Sequence, residues 1–214
     1  MSYYSNFGFF SYTHGAGADA WYGTSKNKIE QYFQNAFGER DRQIFFDRQC
    51  IDAGTNWQVE LREGLDRSPI LIPIFSPAYF NSDFCVAELK TFMRREDKLG
   101  LQRGALIHAA KVYDHRLFPA WAQQIQAVAL DDFFLLDDSF WNSPKSHDFD
   151  LVLKGFADAA TQKIRKIGLN GPHYNEDFPK LPDVPEPTEP NAELVALFGP
   201  QGPVPQPFSE GVPA

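Results

Sequence analysis

A single carboxylate, Glu88, has the most informative surroundings in this chain. It follows an apolar run at residues 70–75, which is short enough for a strand buried on both faces. The residues Asn81-Ser82-Asp83 then favour the start of a helix. A parallel strand, a loop at its carboxyl end and a carboxylate on the next helix form a plausible active-site geometry. A carboxylate fixed there could stabilise positive charge that develops on a ligand.

The helical positions around Glu88 allow two interpretations. An apolar arc is formed by Cys85, Val86, Leu89, Phe92 and Met93. At roughly 100° per residue, Glu88 lies about 40° outside this arc, with Phe84 just beyond it. This places the carboxylate at the margin between core and cleft. The structural alternative is an acid in the second turn of the helix, favoured by the helix dipole and paired with Arg95.

The rest of the chain alternates strand-like and helix-like segments. The predicted strands cover residues 7–12, 43–46, 70–75, 104–113 and 127–130. The predicted helices cover residues 25–37, with Ser25 as the cap, 57–66, the segment from 81 onward, 120–125 and 148–167. Strands that alternate with helices predict an α/β fold in which a five-stranded parallel sheet is covered on both faces.

The composition changes after residue 167. Eleven of the 16 prolines follow residue 170, and the segment 169–214 holds seven acidic residues and one lysine. We therefore interpret residues 1–167 as the folded domain and residues 168–214 as a Pro-rich acidic tail. Residues 191–198 could form a short amphipathic helix that docks on this domain or binds a partner.

The remaining features exclude several classes of protein. The body carries little of the net charge of −8, so we expect no nucleic-acid partner. The amino terminus lacks a secretion signal and no apolar stretch would span a bilayer, so we expect a cytoplasmic protein with no membrane segment. His108 and His115 are too isolated to indicate a metal site. The glycines at 15–17 are not followed by the Lys-Ser/Thr of a phosphate loop.

Three segments, in this order, resemble the TIR (Toll/interleukin-1 receptor) domain family. The first is Phe9-Phe10-Ser11-Tyr12, and the second is residues 44–47 followed by Ala53-Gly54 and Trp57. The third comprises Ser68, Ser76-Pro77-Ala78-Tyr79 and Ser82-x-Phe84-Cys85-x-x-Glu88-Leu89. The resemblance covers about residues 7–165, and it implies that the parallel sheet has the flavodoxin-like three-layer arrangement of a stand-alone bacterial-type TIR protein.

Enzymes of this family cleave NAD⁺ at the nicotinamide–ribose bond with a glutamate four residues after an aromatic. The resemblance thus implies that Glu88, after Phe84, is catalytic and that NAD⁺ is a substrate, with no cofactor. The substrate-binding residues expected beside it are Tyr12, Thr13, His14, Phe46, Asp47, Trp57, Ser76, Tyr79 and Phe84. Alternatives remain open: His14 as an exposed loop residue, Trp57 as a core anchor, and Ser76 as a turn former.

The function implied is an NAD⁺-consuming hydrolase that releases nicotinamide and ADP-ribose or a cyclic product in immune or antiviral signalling. The resemblance also implies self-association through TIR–TIR contacts and activation by a separate sensor or effector protein. A second interpretation is a non-catalytic interaction module that acts through the loop at residues 48–56, the BB loop of the family, and through the tail. A third is a nucleoside-processing enzyme on a related fold.

Overall fold

Five strands form one sheet at the centre of the protein. The computed structural model describes residues 4–14, 17–46 and 57–169. Its strands are β1 (Asn6–Ser11), β2 (Gln43–Phe45), β3 (Leu71–Phe75), β4 (Ala109–Lys111) and β5 (Ala127–Ala129). All neighbouring strands are parallel, and their order is β2-β1-β3-β4-β5.

Helices cover both faces of this sheet. They are α1 (Asp19–Phe37), α2 (Trp57–Asp66), α3 (Pro77–Asn81), α4 (Asp83–Lys98) and α5 (Pro144–Ile167). Helices α1 and α5 contribute Phe33 and Phe149 to the core on one face. Helices α2 and α4 contribute Leu65 and Leu89 to the core on the other face. The predicted flavodoxin-like three-layer α/β fold is therefore confirmed.

The side chains of β1 divide between these two faces. After an irregularity in its pairing between Asn6 and Gly8, Phe9 packs into the α2–α4 core and Phe10 into the α1–α5 core. Side chains alternate along a strand, so Ser11, two residues after Phe9, is directed to the face that carries α4. The first strand thus delivers a polar group to the helix that bears Glu88.

Local capping fixes the start of α4 where the sequence predicts it. The Ser82 hydroxyl accepts a hydrogen bond from the Cys85 backbone N–H at 3.3 Å. The preceding Ser-Pro turn is also the start of a helix, the short α3, because Ser76 caps it and Pro77 occupies its first turn. The Ser76 hydroxyl accepts from the Tyr79 N–H at 3.1 Å.

The start of α1 differs from its prediction. The helix begins at Asp19, and Ser25 is a buried interior residue whose hydroxyl donates to the Trp21 carbonyl at 2.7 Å. Trp21 and Tyr22 are buried against the sheet, and this burial stabilises the additional helical turns before Ser25. The prediction that Ser25 caps α1 was wrong. A serine inside a helix can donate its hydroxyl to the carbonyl four residues earlier, and the sequence alone does not distinguish such a serine from an N-cap.

The strand predicted at residues 104–113 is shorter in the structure. Pro73 lies inside β3 and has no N–H to donate to β4. Pairing between these strands consists of an isolated bridge, Leu71 with Ile107, and then resumes at Ile74 with Ala110. The proline interrupts the ladder between these two points, so the regular part of β4 spans three residues.

Two further boundaries differ from their predictions. Residues 120–125, expected to be helical, form turns in which the Ala122 and Gln123 N–H groups both donate to the Pro119 carbonyl. The last helix begins at Pro144 rather than at residue 148. The predicted 191–198 helix and most of the tail lie outside the described residues, as does the loop at residues 48–56. Within the described ranges, no helix is long and apolar enough to cross a membrane.

Candidate active site

The switch point of the sheet lies between β1 and β3. From β1 the chain goes first to β2 on one side, and later to β3 on the other side. In open parallel sheets, ligands bind at such a point, beside the carboxyl ends of the strands. Ser11 ends β1 and is in register with Pro73, and Ser76 follows the end of β3. The residues after these two strands therefore lie beside each other, at the position where open parallel sheets have their ligand crevice.

Glu88 contacts the carboxyl end of β1. The Ser11 hydroxyl donates to Oε2 of Glu88 at 2.5 Å, a distance typical of a hydrogen bond to a carboxylate. Ser11 is 1% exposed and Glu88 is 5% exposed. The carboxylate is therefore more deeply buried than the margin position that the helical spacing predicts. Its surroundings stabilise a group that would be costly to bury without hydrogen bonds.

Tyr79 extends this hydrogen-bonding chain. Its hydroxyl lies 2.9 Å from the Ser11 hydroxyl and 3.1 Å from the Cys85 carbonyl. Complete burial raises the pKa of the Tyr79 phenol well above its usual range, and the electrostatic influence of the neighbouring Cys85 and Glu88 side chains adds to this. The phenol therefore keeps its proton and remains a hydrogen-bond donor. We refer to Glu88, Ser11, Tyr79 and the Cys85 carbonyl as the Glu88 chain.

Two more contacts join the elements around the crevice. The hydroxyl groups of Thr13 and Ser76 lie 3.5 Å apart and link the segments that follow β1 and β3. The Cys85 thiol donates to the Tyr12 carbonyl at 3.4 Å and so attaches α4 to the same segment. These contacts position the Glu88 chain relative to the residues expected to bind substrate.

Aromatic rings border the crevice on the β2 side. Tyr12 stacks on Phe46 with ring centroids 4.8 Å apart, and both rings are buried. The His14 ring contacts the edge of Tyr12 at 4.6 Å, and its side chain is 44% exposed. His14 also lies 3.9 Å from the Asp19 carboxylate. Among these three rings, His14 is thus the one with a substantial surface available to a ligand.

The structure brings together most of the residues that the sequence predicts for the site. Tyr12, Thr13, Ser76, Tyr79 and Glu88 are connected by the contacts above, with Phe46 and His14 beside them. Phe84 is half-buried on α4, one turn before Glu88. Asp47 and the side chain of Trp57 lie outside the described residues.

The partner of Glu88, Ser11, was missed by the sequence reasoning as a site residue. The available signal was a hydroxyl residue, two positions after a buried phenylalanine, at the carboxyl end of a strand otherwise rich in phenylalanine. That signal points to Ser11 as a site residue only once the strand order is known, because this order places β1 beside β3.

Two cavities lie elsewhere in the described part of the chain. One, of about 210 Å³, is bordered by Phe75, Lys111 and His115 near the ends of β3 and β4. The other, of about 270 Å³, is bordered by Asn6, Glu60 and Arg67 near the start of β1. Neither of these two cavities is bordered by Glu88.

Comparison with known proteins identifies the family. No curated protein matches the chain. Among solved structures, it is similar to the TIR domains in a structure of "the activated Roq1 resistosome directly recognizing the pathogen effector XopQ". The identity is 19% and the TM-score 0.38, over 73% of this chain and 82% of that one. A family model for the TIR domain matches residues 9–138, more than half of the sequence and the whole of the Glu88 chain. The chain therefore belongs to the TIR domain family.

Proposed function

We propose that this TIR protein consumes NAD⁺ by cleaving the bond between nicotinamide and ribose. The observation that carries the proposal is the position of Glu88, a buried carboxylate held by Ser11 at the switch point of the sheet. A carboxylate of this kind suits a reaction in which positive charge develops on a sugar.

The chemistry requires little of the protein beyond this charge. The C1′–N bond breaks and its electron pair stays on nicotinamide, which leaves as a neutral molecule, so no general acid is needed. The positive charge that develops on the ribose is stabilised by the Glu88 carboxylate, which also accepts a hydrogen bond from a ribose hydroxyl. Water then attacks C1′ and loses a proton, which gives ADP-ribose. If an adenine nitrogen of the substrate attacks instead, a cyclic product forms.

The other proposed contacts follow from exposure. Thr13 and His14 are accessible at the end of β1 and would contact the ligand directly. Phe84 would offer an apolar surface one turn from Glu88. Tyr79 is fully buried, so we assign it an indirect role through Ser11.

Nicotinamide release tests the proposal. Concentrated protein would be incubated with NAD⁺, with and without a crowding agent, and nicotinamide would be followed by chromatography. We expect release by the wild type and by Asp83→Asn, which removes an exposed carboxylate of the same helix, and none by Glu88→Gln. Equal release by wild type and Glu88→Gln would remove Glu88 from the mechanism.

We further propose that activity requires self-association and serves immune or antiviral signalling with a separate sensor or effector protein. Family enzymes commonly complete their site with the BB loop of a neighbouring copy. The specific activity should then rise with protein concentration, in parallel with the oligomer fraction measured by light scattering.

A non-catalytic interaction module is the second candidate. It is favoured by a group of exposed apolar side chains in the segments that follow β4 and β5. These are Tyr113, Leu117, Trp121, Leu135 and Leu136, which are 37–49% exposed. A protein partner that covered these side chains would remove their apolar surface from water. If assembled wild-type protein released no nicotinamide, this candidate would replace the enzyme.

A further inference from the structure

A small cavity lies at the carboxyl ends of β3 and β4, on the face of the sheet that α2 and α4 cover. Phe75 ends β3 and is in register with Lys111, which ends β4. Phe75 and Ala109 both pack into the α2–α4 core, and Lys111, two residues after Ala109, is directed to the same face. Phe75 and Lys111 are therefore neighbours, and both border this space, which we call the β3–β4 cavity.

Most of the remaining border of the β3–β4 cavity is apolar. Phe118 and Ala122 are 6% and 1% exposed, and Ile125 packs against the same core. The volume is about 210 Å³. An apolar cavity of about 150 Å³ accommodates benzene, whereas drug-sized ligands occupy about 300–1,000 Å³. The space therefore matches a single flat ring with one small substituent, and it is too small for a dinucleotide.

Two nitrogen-bearing side chains, Lys111 and His115, border the same cavity. The Lys111 Nζ lies 3.7 Å from a carboxylate oxygen of Asp131, which is longer than a hydrogen bond. No described residue accepts a hydrogen bond from this ammonium. The His115 Nδ1 lies 3.5 Å from Asp114, whose carboxylate already accepts two hydrogen bonds from the Arg116 side chain at 2.5 and 2.9 Å. Lys111 and His115 can therefore donate to a bound anion.

We propose that the β3–β4 cavity binds a small aromatic carboxylate. The ring would pack between Phe75 and Phe118, and the carboxylate would accept hydrogen bonds from Lys111 and His115. A carboxylate is favoured over a phosphate because it has two oxygen atoms for two donors and a single negative charge for one ammonium. The site goes beyond the proposed function, since cleavage of NAD⁺ at Glu88 does not require it and does not produce such an acid.

Benzoate is the probe, and benzamide, which has the same shape without the charge, is its control. For a ligand of about nine non-hydrogen atoms we expect a Kd of about 1 mM, with benzamide about tenfold weaker. Lys111→Met removes the ammonium and keeps an apolar side chain, so it should raise the benzoate Kd about tenfold and leave the benzamide Kd unchanged. Lys28→Met removes an ion-paired lysine of α1 and should change neither value.

A second substitution should act in the opposite direction. The Asp131 carboxylate is 43% exposed and repels an anion that approaches Lys111. We expect Asp131→Asn to lower the benzoate Kd about two- to threefold, the range of a partly exposed charge pair, and to leave benzamide unaffected. A variant with a damaged fold would not bind benzoate more tightly, so weaker binding by Asp131→Asn would contradict the proposed arrangement of charges.

Methyl NMR locates the ligand and gives the Kd values. In protein labelled at the isoleucine methyl groups, the Ile125 signal is identified by its loss in Ile125→Val. Benzoate should shift this signal and leave that of Ile29, in the α1–α5 core, in place. The proposal is overturned if about 20 mM benzoate leaves the Ile125 signal unmoved, or if wild type and Lys111→Met bind benzoate equally.

A last variant separates this site from the proposed enzyme activity. None of the residues of the Glu88 chain borders the β3–β4 cavity, so Glu88→Gln should bind benzoate with the wild-type Kd. Loss of benzoate binding in Glu88→Gln would place benzoate at the candidate active site and reject the new site. If the wild type released no nicotinamide but showed the expected Kd values, the β3–β4 cavity would stand as a binding site and NAD⁺ cleavage would not.

Discussion

Replacing Gly64 with alanine should destabilise the protein although Gly64 lies in a helix. Alanine normally stabilises a helix interior by about 1 kcal/mol relative to glycine. At Gly64, however, a Cβ atom would lie 2.6 Å from two ring carbons of Phe45 and 2.7 Å from a third. Gly155 in α5 is exposed and a Cβ there would meet no atom within 4 Å. The two glycines therefore form a matched pair.

The magnitude follows from how firmly the Phe45 ring is held. Carbon atoms pack comfortably at about 3.5 Å, so the ring or α2 would have to move by about 1 Å. Phe45 is 8% exposed and stacks on Phe9, with centroids 5.0 Å apart and planes 15° apart. Overpacking of a core costs about 1–3 kcal/mol, and an approach of 2.6 Å to a ring that is already stacked places Gly64→Ala in the upper part of this range, at about 2–3 kcal/mol. After the helical gain is subtracted, we expect Gly64→Ala to lose about 1–2 kcal/mol of unfolding free energy.

Urea unfolding, followed by circular dichroism, measures both variants. We expect Gly155→Ala to gain about 0.5–1 kcal/mol, so the two variants should differ by about 1.5–3 kcal/mol. At about 2–4 °C per kcal/mol, their melting temperatures should lie about 3–12 °C apart. If Gly64→Ala were as stable as Gly155→Ala, the packing of α2 on β2 described here would be incorrect.

Two further predictions concern stability. Burial and the nearby charge of Lys163 lower the pKa of His108 to about 4 from an ordinary value of 6.5. The unfolded chain therefore binds a proton on His108 more readily than the folded protein does. The stabilisation of the folded protein by neutral His108 is fully present above about pH 6.5. As the pH falls towards 4, up to about 3 kcal/mol of the free energy of unfolding is lost. Urea unfolding at about pH 7 and pH 5 should show a smaller pH effect in His108→Gln than in wild type. Removing the α4 cap with Ser82→Ala should cost about 1 kcal/mol, whereas Ser82→Asp should retain most of the stability in the same assay, because aspartate also caps helices.

The segment around Glu88 could be predicted because its structure is set by local chemistry. An apolar run without charges predicts a buried strand, and Ser82 supplies a cap whose acceptor oxygen is part of its own side chain. The spacing of Cys85 and Leu89 then fixes which side of α4 is buried. None of these features depends on a distant residue.

Features that depend on distant partners could not be predicted in the same way. The extra turns of α1 exist because Trp21 and Tyr22 are buried against the sheet, and β4 is short because Pro73 in the neighbouring strand lacks an N–H group. Glu88 is deeply buried because Ser11 supplies it with a hydrogen bond. Helical periodicity shows the direction of a side chain but not the polar group that meets it.

The distance in sequence between Ser11 and Glu88 has a consequence for synthesis of the protein. The two residues are 77 positions apart, and β1 acquires its neighbour β3 only after residue 71 has been added. At about 5–20 residues per second, about 4–15 seconds pass on the ribosome between Ser11 and Glu88. A nascent chain that ends before α4 contains the first strand without its carboxylate. The candidate site therefore cannot form until more than half of the domain has been synthesised, because α4 ends at Lys98.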